Sequence, residues 1–202
     1  MRGRHALLVA PALAGTLLAF AFLASCTDDR PSSSVATCPS CPCPTRVVDA
    51  ALLAFLSKAR RAHHEADLLE KADRPEQAIQ VLDHLAATPA PGGASPPPEV
   101  REVLADTRAR LAELRSARGD FEAAGRDVEA GLELAVDVTH FRGRLVEMRG
   151  VIEERRAKAL QERGELQAAA SARERAIAAF EQAVGIQEEV IGRALGDGGV
   201  RQ

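Results

Sequence analysis

From residue 46 onward, apolar residues return every three or four positions, which is the period of an amphipathic α-helix. The first stripe predicts a helix over residues 46–72. Its members are Leu52, Phe55, Leu56, Ala59, Ala62, Ala66 and Leu69. A second stripe predicts a helix that is capped by Asp73 and ends near Ala87. Its members are Ile79, Leu82 and Leu85.

Glycine and proline divide the later part of the chain. A Pro/Gly-rich linker over residues 88–98 precedes a helix that starts near Pro98. Further breaks are expected at Gly119 and Gly164. A break near Ser171 is the alternative to Gly164, but the sequence around Ser171 strongly favours helix. The last helix is therefore predicted over residues 165–195, with a flexible tail over 196–202.

One short segment occurs three times at a nearly constant interval. Arg118-Gly119-Asp120-Phe121-Glu122-Ala123-Ala124 returns 45 residues later as Arg163-Gly164-Glu165-Leu166-Gln167-Ala168-Ala169, and a degenerate copy begins near Asp73. Such spacing indicates a repeated helix-turn-helix unit. Each copy has an alanine twelve residues before the alanine that follows the turn, and these pairs predict close helix contacts. The pairs are Ala66 and Ala78, Ala112 and Ala124, and Ala157 and Ala169.

The repeated unit resembles the tetratricopeptide repeat family over roughly residues 59–185. Gly119-Asp120-Phe121 with Ala124, followed by Gly131-Leu132-Glu133-Leu134-Ala135, is similar to the turn and second helix of that family. The spacing of 45 to 46 residues is longer than the usual unit, and Arg115 and Arg173 stand where its pattern has large apolar residues. The resemblance implies antiparallel helix pairs, about three over residues 46–195, stacked as a short solenoid.

The resemblance also implies a concave groove that binds a peptide or helix of another protein. The chain contains no Asn, so it lacks the residues with which that family clamps a free carboxylate, and recognition of a C-terminus is not expected. A plain solvated surface is the equally weighted alternative. The implied lining is Arg60, His63, Asp67, Glu70 and Lys71, then Asp106, Ala109 and Glu113, then Glu154, Lys158 and Gln161.

Composition agrees with an all-α fold and excludes nucleic acid as a partner. Strong helix formers dominate, whereas β-branched and aromatic residues are sparse. The net charge is -3, and the chain has neither Trp nor Tyr. It therefore offers neither the basic surface nor the stacking surface that nucleic-acid binding needs.

The first 25 residues have the pattern of a secretory signal peptide. Arg2 and Arg4 precede an uncharged run from Ala6 to Ala24. The segment Leu23-Ala24-Ser25-Cys26 resembles the lipobox of bacterial lipoproteins, which implies that Cys26 is acylated and becomes the first residue of the mature chain. An uncleaved membrane anchor is the alternative, because the run approaches the roughly 20 residues that span a bilayer.

Either anchor places the remaining chain outside the cytoplasm, held to the membrane of a bacterial cell envelope. Thr27 follows the cysteine where an Asp would retain a lipoprotein in the inner membrane, so the family's sorting rules favour the outer membrane, facing the periplasm. Residues 26–45 are rich in Ser, Pro, Thr and Cys and poor in large apolar residues. They predict a disordered stalk.

The stalk contains three cysteines within six residues, Cys38, Cys41 and Cys43. Three thiols fall short of the four ligands of a structural zinc site, and Pro42 occupies the position where a haem attachment needs His. One local disulfide with a free thiol, or crosslinks between chains, is the preferred interpretation in an oxidising compartment.

No motif predicts catalysis, a cofactor or a metal. The chain lacks a phosphate-binding loop after a strand and lacks a nucleophile elbow. His63-His64-Glu65 places adjacent histidines about 100° apart on a helix, which does not suit a shared metal ion. Glu154 and Lys158 have the spacing of an i,i+4 ion pair on an exposed face. The protein is therefore predicted not to be an enzyme.

Two functions follow. The first is a lipid-anchored module that binds or scaffolds an unidentified protein of the envelope. The second is a structural lipoprotein that forms homo-oligomers. Its predicted coiled-coil seam consists of Phe141, Leu145, Met148 and Ile152, which alternate in spacings of four and three.

Overall fold

The computed structural model describes residues 49–198, and every regular element in this range is an α-helix. The helices are α1 (Ala50–Lys71), α2 (Pro75–Ala86), α3 (Pro98–Ala117), α4 (Phe121–Leu134), α5 (His140–Glu162) and α6 (Leu166–Gly198). The predicted all-α class is confirmed for this part of the chain. The predicted signal peptide, Cys26, the stalk with Cys38, Cys41 and Cys43, and residues 199–202 lie outside the described residues.

Side chains and prolines mark where the helices begin. The Asp49 carboxylate accepts a hydrogen bond from the Ala51 amide at 2.9 Å, and the Asp120 carboxylate accepts one from the Ala123 amide at 3.1 Å. Pro75 and Pro98 occupy the first turns of α2 and α3, where the missing N–H group would have no helical partner. These local preferences explain why the predicted boundaries lie close to the observed ones.

The three copies of the repeated segment form the same tight turn. The turn residues Asp73, Gly119 and Gly164 have φ angles of +56°, +82° and +79°. In each copy the next amide bonds back to a carbonyl five residues earlier, as from Glu165 to Leu160 at 2.9 Å. This is the Schellman ending of a helix. Asp73 thus ends α1, and the prediction that it caps α2 is wrong because its backbone is committed to that turn.

The paired alanines lie where each antiparallel helix pair comes together. All six alanines of the predicted pairs are at most 1% exposed. Ala66 and Ala78 share one apolar cluster with Leu82, and Ala112 and Ala124 share another with Val128. A methyl side chain on both helices leaves room for close backbone approach. The first two predicted contact points are confirmed, and Ala157 and Ala169 are buried to the same degree.

The odd-numbered helices form a row. α3 packs against both α1 and α5, while each even-numbered helix packs against the helix before it. Within residues 49–198, no pair of Cα atoms within 8 Å joins α2 to α4 or α4 to α6. The row therefore leaves one long face of α1, α3 and α5 uncovered. None of these helices is both long and apolar enough to cross a membrane.

A buried ionic cluster joins α2, α3 and α4. Asp127 is 2% exposed, and its carboxylate accepts hydrogen bonds from Arg108 at 2.8 Å and from Arg115. Arg115 also donates to both carboxylate oxygens of Asp83, at 2.8 and 2.7 Å. The arginine that departs from the repeat pattern thus forms charged bonds where an apolar side chain would have packed.

The described residues, 49–198, belong to one compact unit. The apolar clusters of the described chain all lie inside this unit, from Phe55 near its start to the alanines of α6. The unit contains its own core, so we expect it to fold without the first 45 residues.

Two glycines of α4 provide a test of the packing. A Cβ added to Gly131 would lie 2.5 Å from Cδ2 of Leu145, which is fully buried, whereas a Cβ on Gly125 would meet no atom within 4 Å. Gly131→Ala should lower the free energy of unfolding by about 1–3 kcal/mol through overpacking. Gly125→Ala should raise it by up to about 1 kcal/mol through helix propensity. Urea denaturation of both variants measures the difference, and equal effects would contradict the packing of α4 on α5.

Candidate functional site

The uncovered face of α1, α3 and α5, called the groove face here, carries most of the residues predicted to line a groove. Seven of the eleven are exposed and three, His63, Asp67 and Asp106, are half-buried. Ala109 is the exception. It is 1% exposed and packs with Ala105 and Leu145 between α3 and α5, so its predicted place in the groove lining is wrong. The exposed seven are Arg60, Glu70, Lys71, Glu113, Glu154, Lys158 and Gln161.

Arg110 connects α3 to α1 across the groove face. Its guanidinium pairs with the carboxylate of Asp67 and with that of Glu70 at 2.5 Å. The hydrogen bond from Arg110 lowers the pKa of Asp67 below its ordinary value. Asp67 and Glu70 therefore hold two helices together, and Arg110, which the sequence did not single out, is the cation between them.

His63 makes a second connection between the same helices. Its Nε2 lies 3.0 Å from Oγ1 of Thr107, and that hydroxyl already donates its proton to the Val103 carbonyl at 2.8 Å. The hydroxyl must therefore accept from Nε2–H, which fixes the neutral tautomer. Nδ1 then faces Asp106 at 3.9 Å.

Burial determines the charge of His63. Desolvation lowers the pKa of the ring below 6.5, and Arg110 and Arg144 act in the same direction. Asp106 and Asp67 raise the pKa but do not outweigh the other effects. The histidine is thus a neutral hydrogen-bond donor at neutral pH. Its neighbours are engaged with one another, and residues 49–198 contain no group of three or more His, Cys, Asp or Glu side chains placed to hold a metal ion.

Two arginines of α5 connect this helix to α3 on the groove face. Arg144 pairs with Asp106 at 2.6 Å. Arg155 donates to the Glu113 carbonyl at 2.9 Å and to Oγ of Ser116 at 2.6 Å. The contacts of Arg155 differ from that of Arg144, because both acceptors of Arg155 are neutral groups. Arg155 therefore has no carboxylate partner among residues 49–198.

A pocket of about 450 Å³ opens between the groove face of α5 and the flank of α6. Its apolar wall consists of Ala176, Ile177 and Phe180. Three of the predicted groove residues lie on its rim. These are Glu154, Lys158 and Gln161. The pocket brings these three predicted residues into one concave site with apolar surface, and the other predicted residues lie outside it.

The charges around this pocket are mostly positive and uncompensated. Arg173 donates to the neutral side-chain oxygen of Gln161, and Arg155 is held by neutral acceptors. Neither Lys158 nor Glu154 belongs to any ion pair within residues 49–198, so their predicted i,i+4 pair is not formed. The rim therefore presents three cations and one carboxylate to solvent.

A larger cavity of about 920 Å³ lies between α1 and α2, and it shares no lining residue with the groove face. Its charged side chains carry both signs, among them Lys58, Arg61, Glu65 and Glu76. All of its lining residues belong to α1, α2 and the turn between them, so this cavity lies within the first helix pair. It does not bring together the residues that the sequence predicted.

The predicted coiled-coil seam is used inside the domain. Leu145, Met148 and Ile152 are at most 7% exposed and pack against α3 and α4, and Phe141 is partly buried beside them. Their spacing of four and three is the spacing of any buried helix face. These residues are therefore not available to a second chain while the domain is folded.

The chain matches no protein-family model, no curated protein and no solved structure. A functional assignment therefore depends on the geometry of the groove face and on the sequence.

Because His63 has a lowered pKa in the fold, stability should depend on pH. The unfolded chain binds a proton near pH 6.5, whereas the folded chain binds it only at lower pH, so the free energy of unfolding should fall as pH drops below about 6.5. Urea denaturation at pH 8.0 and 5.5 measures this. His63→Gln should weaken the dependence, and the exposed neighbour provides the control His64→Gln, which should keep it. An unchanged dependence in His63→Gln would contradict the assignment.

Proposed function

We propose that the chain is a lipid-anchored protein of a bacterial envelope whose helical domain binds a partner protein through the groove face. The observation that carries the proposal is the pocket between α5 and α6, where apolar side chains adjoin three cations that pair with no carboxylate among residues 49–198. Uncompensated charge beside a concave apolar surface is typical of a binding site. The proposed role is binding rather than catalysis.

The proposed architecture is a short, degenerate tetratricopeptide-like solenoid. Three recurrences support it: the same Schellman turn near Asp73, Gly119 and Gly164, the same buried alanine pairs, and the same packing of each odd helix on the next. In such an arrangement the first helices of the pairs line the concave side. Here those helices are α1, α3 and α5.

The proposed anchor is the acyl group on Cys26, supported by the signal-peptide pattern and by the lipobox-like segment before it. Two or more acyl chains bind a membrane stably, so a modified cysteine can hold the protein without a membrane-spanning helix. The Pro- and Ser-rich segment up to residue 45 would then act as the tether, with the domain facing the periplasm from the outer membrane. Cys38, Cys41 and Cys43 would pair with one another or with a neighbouring chain.

Substitution of the anchor residue tests the location. Cys26→Ala should move the protein from the membrane fraction to the soluble or unprocessed fraction, since it removes the thiol that receives the lipid. Immunoblots of fractionated cells measure the change, and Cys38→Ala is the matched control that should stay with the membrane. A Cys26→Ala protein that remains in the mature, membrane-bound form would contradict the lipoprotein assignment.

Site-specific crosslinking tests the binding face. A photo-crosslinking amino acid in place of Lys158 should give a discrete adduct in cells, because Lys158 lies on the rim of the pocket. The same amino acid in place of Glu133 on α4, which is exposed away from the groove face, is the control and should not give that adduct. Charge reversal Arg173→Glu should weaken the adduct at Lys158. Equal adducts at both positions would contradict binding through the groove face.

A further inference from the structure

The last helix exposes a row of large apolar side chains. Ile177, Val184, Ile191 and Leu195 are 58%, 55%, 57% and 74% exposed. They follow one another at spacings of seven, seven and four residues, which keeps them on one stripe of the helix. Most of the large exposed apolar side chains of the described chain are thus on α6 rather than spread over the surface.

The end of α6 extends past the helix on which it packs. The ring of Phe180 lies against Gly150, and the side chain of Gln187 lies against Gly143. This antiparallel register brings the start of α5, at His140, level with Val190, which is partly buried and directly precedes a run of exposed residues. Residues 191–196 are all exposed. A short helical end without packing is marginally stable in water, so this segment would be stabilised by a partner.

An acidic row runs beside the apolar one. Glu174, Glu181 and Glu188 each precede an apolar member of the stripe by three residues, which places them about 60° around the helix from it. All three are exposed, and none forms an ion pair within residues 49–198. By contrast Glu189, on another side of the helix, pairs with Arg193 at 2.5 Å. On α6, the carboxylates beside the apolar stripe are thus left without a cation, whereas the one on another side has a partner.

We propose that this surface, the α6 stripe, binds an amphipathic helix of a partner protein that carries Lys or Arg beside its apolar face. Apolar residues at heptad spacing with charges on the flank are how helices select each other in coiled coils. From Ile177 to Leu195 the stripe is about 27 Å long, which matches a partner helix of about 18 residues.

The charge pattern argues against a second copy of the same chain as the occupant. In an antiparallel pair of α6 helices the same flanks meet, so the row of Glu174, Glu181 and Glu188 would face itself. In a parallel pair that row would meet the other flank of the second helix, which carries Arg173, Phe180 and Gln187. Only one of the three glutamates would then face a cation. Like charges across a helix interface oppose association, whereas a basic helix meets opposite charges along the whole row.

The α6 stripe is independent of the proposed groove face, apart from Ile177, which borders both. The pocket on the groove face offers three cations and one carboxylate, and the stripe offers three carboxylates. An acidic partner would bind the pocket and a basic partner would bind the stripe. Failure of one binding test therefore does not decide the other proposal.

A pair of designed peptides tests the proposal on residues 46–202. One fluorescent 21-residue peptide carries Leu at heptad positions a and d and Lys at e and g, and the matched peptide carries Glu in place of every Lys. Fluorescence anisotropy should show saturable binding of the basic peptide and at least about tenfold weaker binding of the acidic one. The preference should shrink as salt rises from low to high ionic strength, because exposed ion pairs are screened.

Variants locate the binding on α6. Val184→Ser combined with Ile191→Ser should weaken the basic peptide at least about tenfold, and Glu181→Lys combined with Glu188→Lys should reverse the preference between the peptides. Glu133→Lys on α4 is the matched charge control and should change neither. Circular dichroism verifies that each variant is folded, as expected for exposed positions.

Four results would overturn the proposal. Three concern the peptides: no saturable binding of the basic peptide, equal affinity for both peptides, or binding that the α6 variants leave intact. The fourth is a dimer in sedimentation that Val184→Ser with Ile191→Ser dissociates, since this would make a second copy the occupant.

Discussion

The position of the central helices depends on the buried carboxylate of Asp127. It accepts hydrogen bonds from Arg108 and Arg115, and Arg115 extends the cluster to Asp83 on the preceding helix pair. Removing one partner from a buried ion pair leaves an uncompensated charge and costs about 3–5 kcal/mol, more than most single contacts contribute. Because guanidinium bonds are directional, the cluster fixes both the distance between α3 and α4 and their register. Through Asp83 the same cluster also ties α2 of the first helix pair to α3 and α4.

Features of the fold that depend on neighbouring residues could be predicted from the sequence. The Schellman turns need a residue that tolerates positive φ, and Gly119 and Gly164 supply it at the predicted positions. The alanine pairs were predictable because each lies a fixed distance from its turn. Asp73 was misinterpreted because Asp suits a helix start as well as a left-handed turn, and only the backbone hydrogen bonds distinguish the two.

The candidate site could be predicted only in part, because its side chains meet across helices that are far apart in sequence. The spacing places Asp67, Asp106 and Lys158 on one face, but it does not identify Arg110 as the partner of Asp67 or Arg144 as the partner of Asp106. Helical spacing also does not tell whether an apolar stripe is buried or exposed. Leu145 and Met148, predicted in an external seam, are internal, whereas Ile177 and Val184 of the last helix are exposed.

How the charges are distributed connects the fold to the proposed functions. Between helices, most arginines meet carboxylates, as in Arg149 with Glu129 and Arg156 with Glu122. At the pocket of the groove face, Arg155 and Arg173 meet neutral acceptors. Along the α6 stripe, Glu174, Glu181 and Glu188 form no ion pair within residues 49–198, whereas Glu189 on another side of the helix pairs with Arg193. On a surface that only contacts water, nothing sorts cations and carboxylates into separate areas. Here cations and carboxylates lie in different areas, each beside apolar side chains, which supports the two proposed binding surfaces of opposite charge, each selective for a different partner.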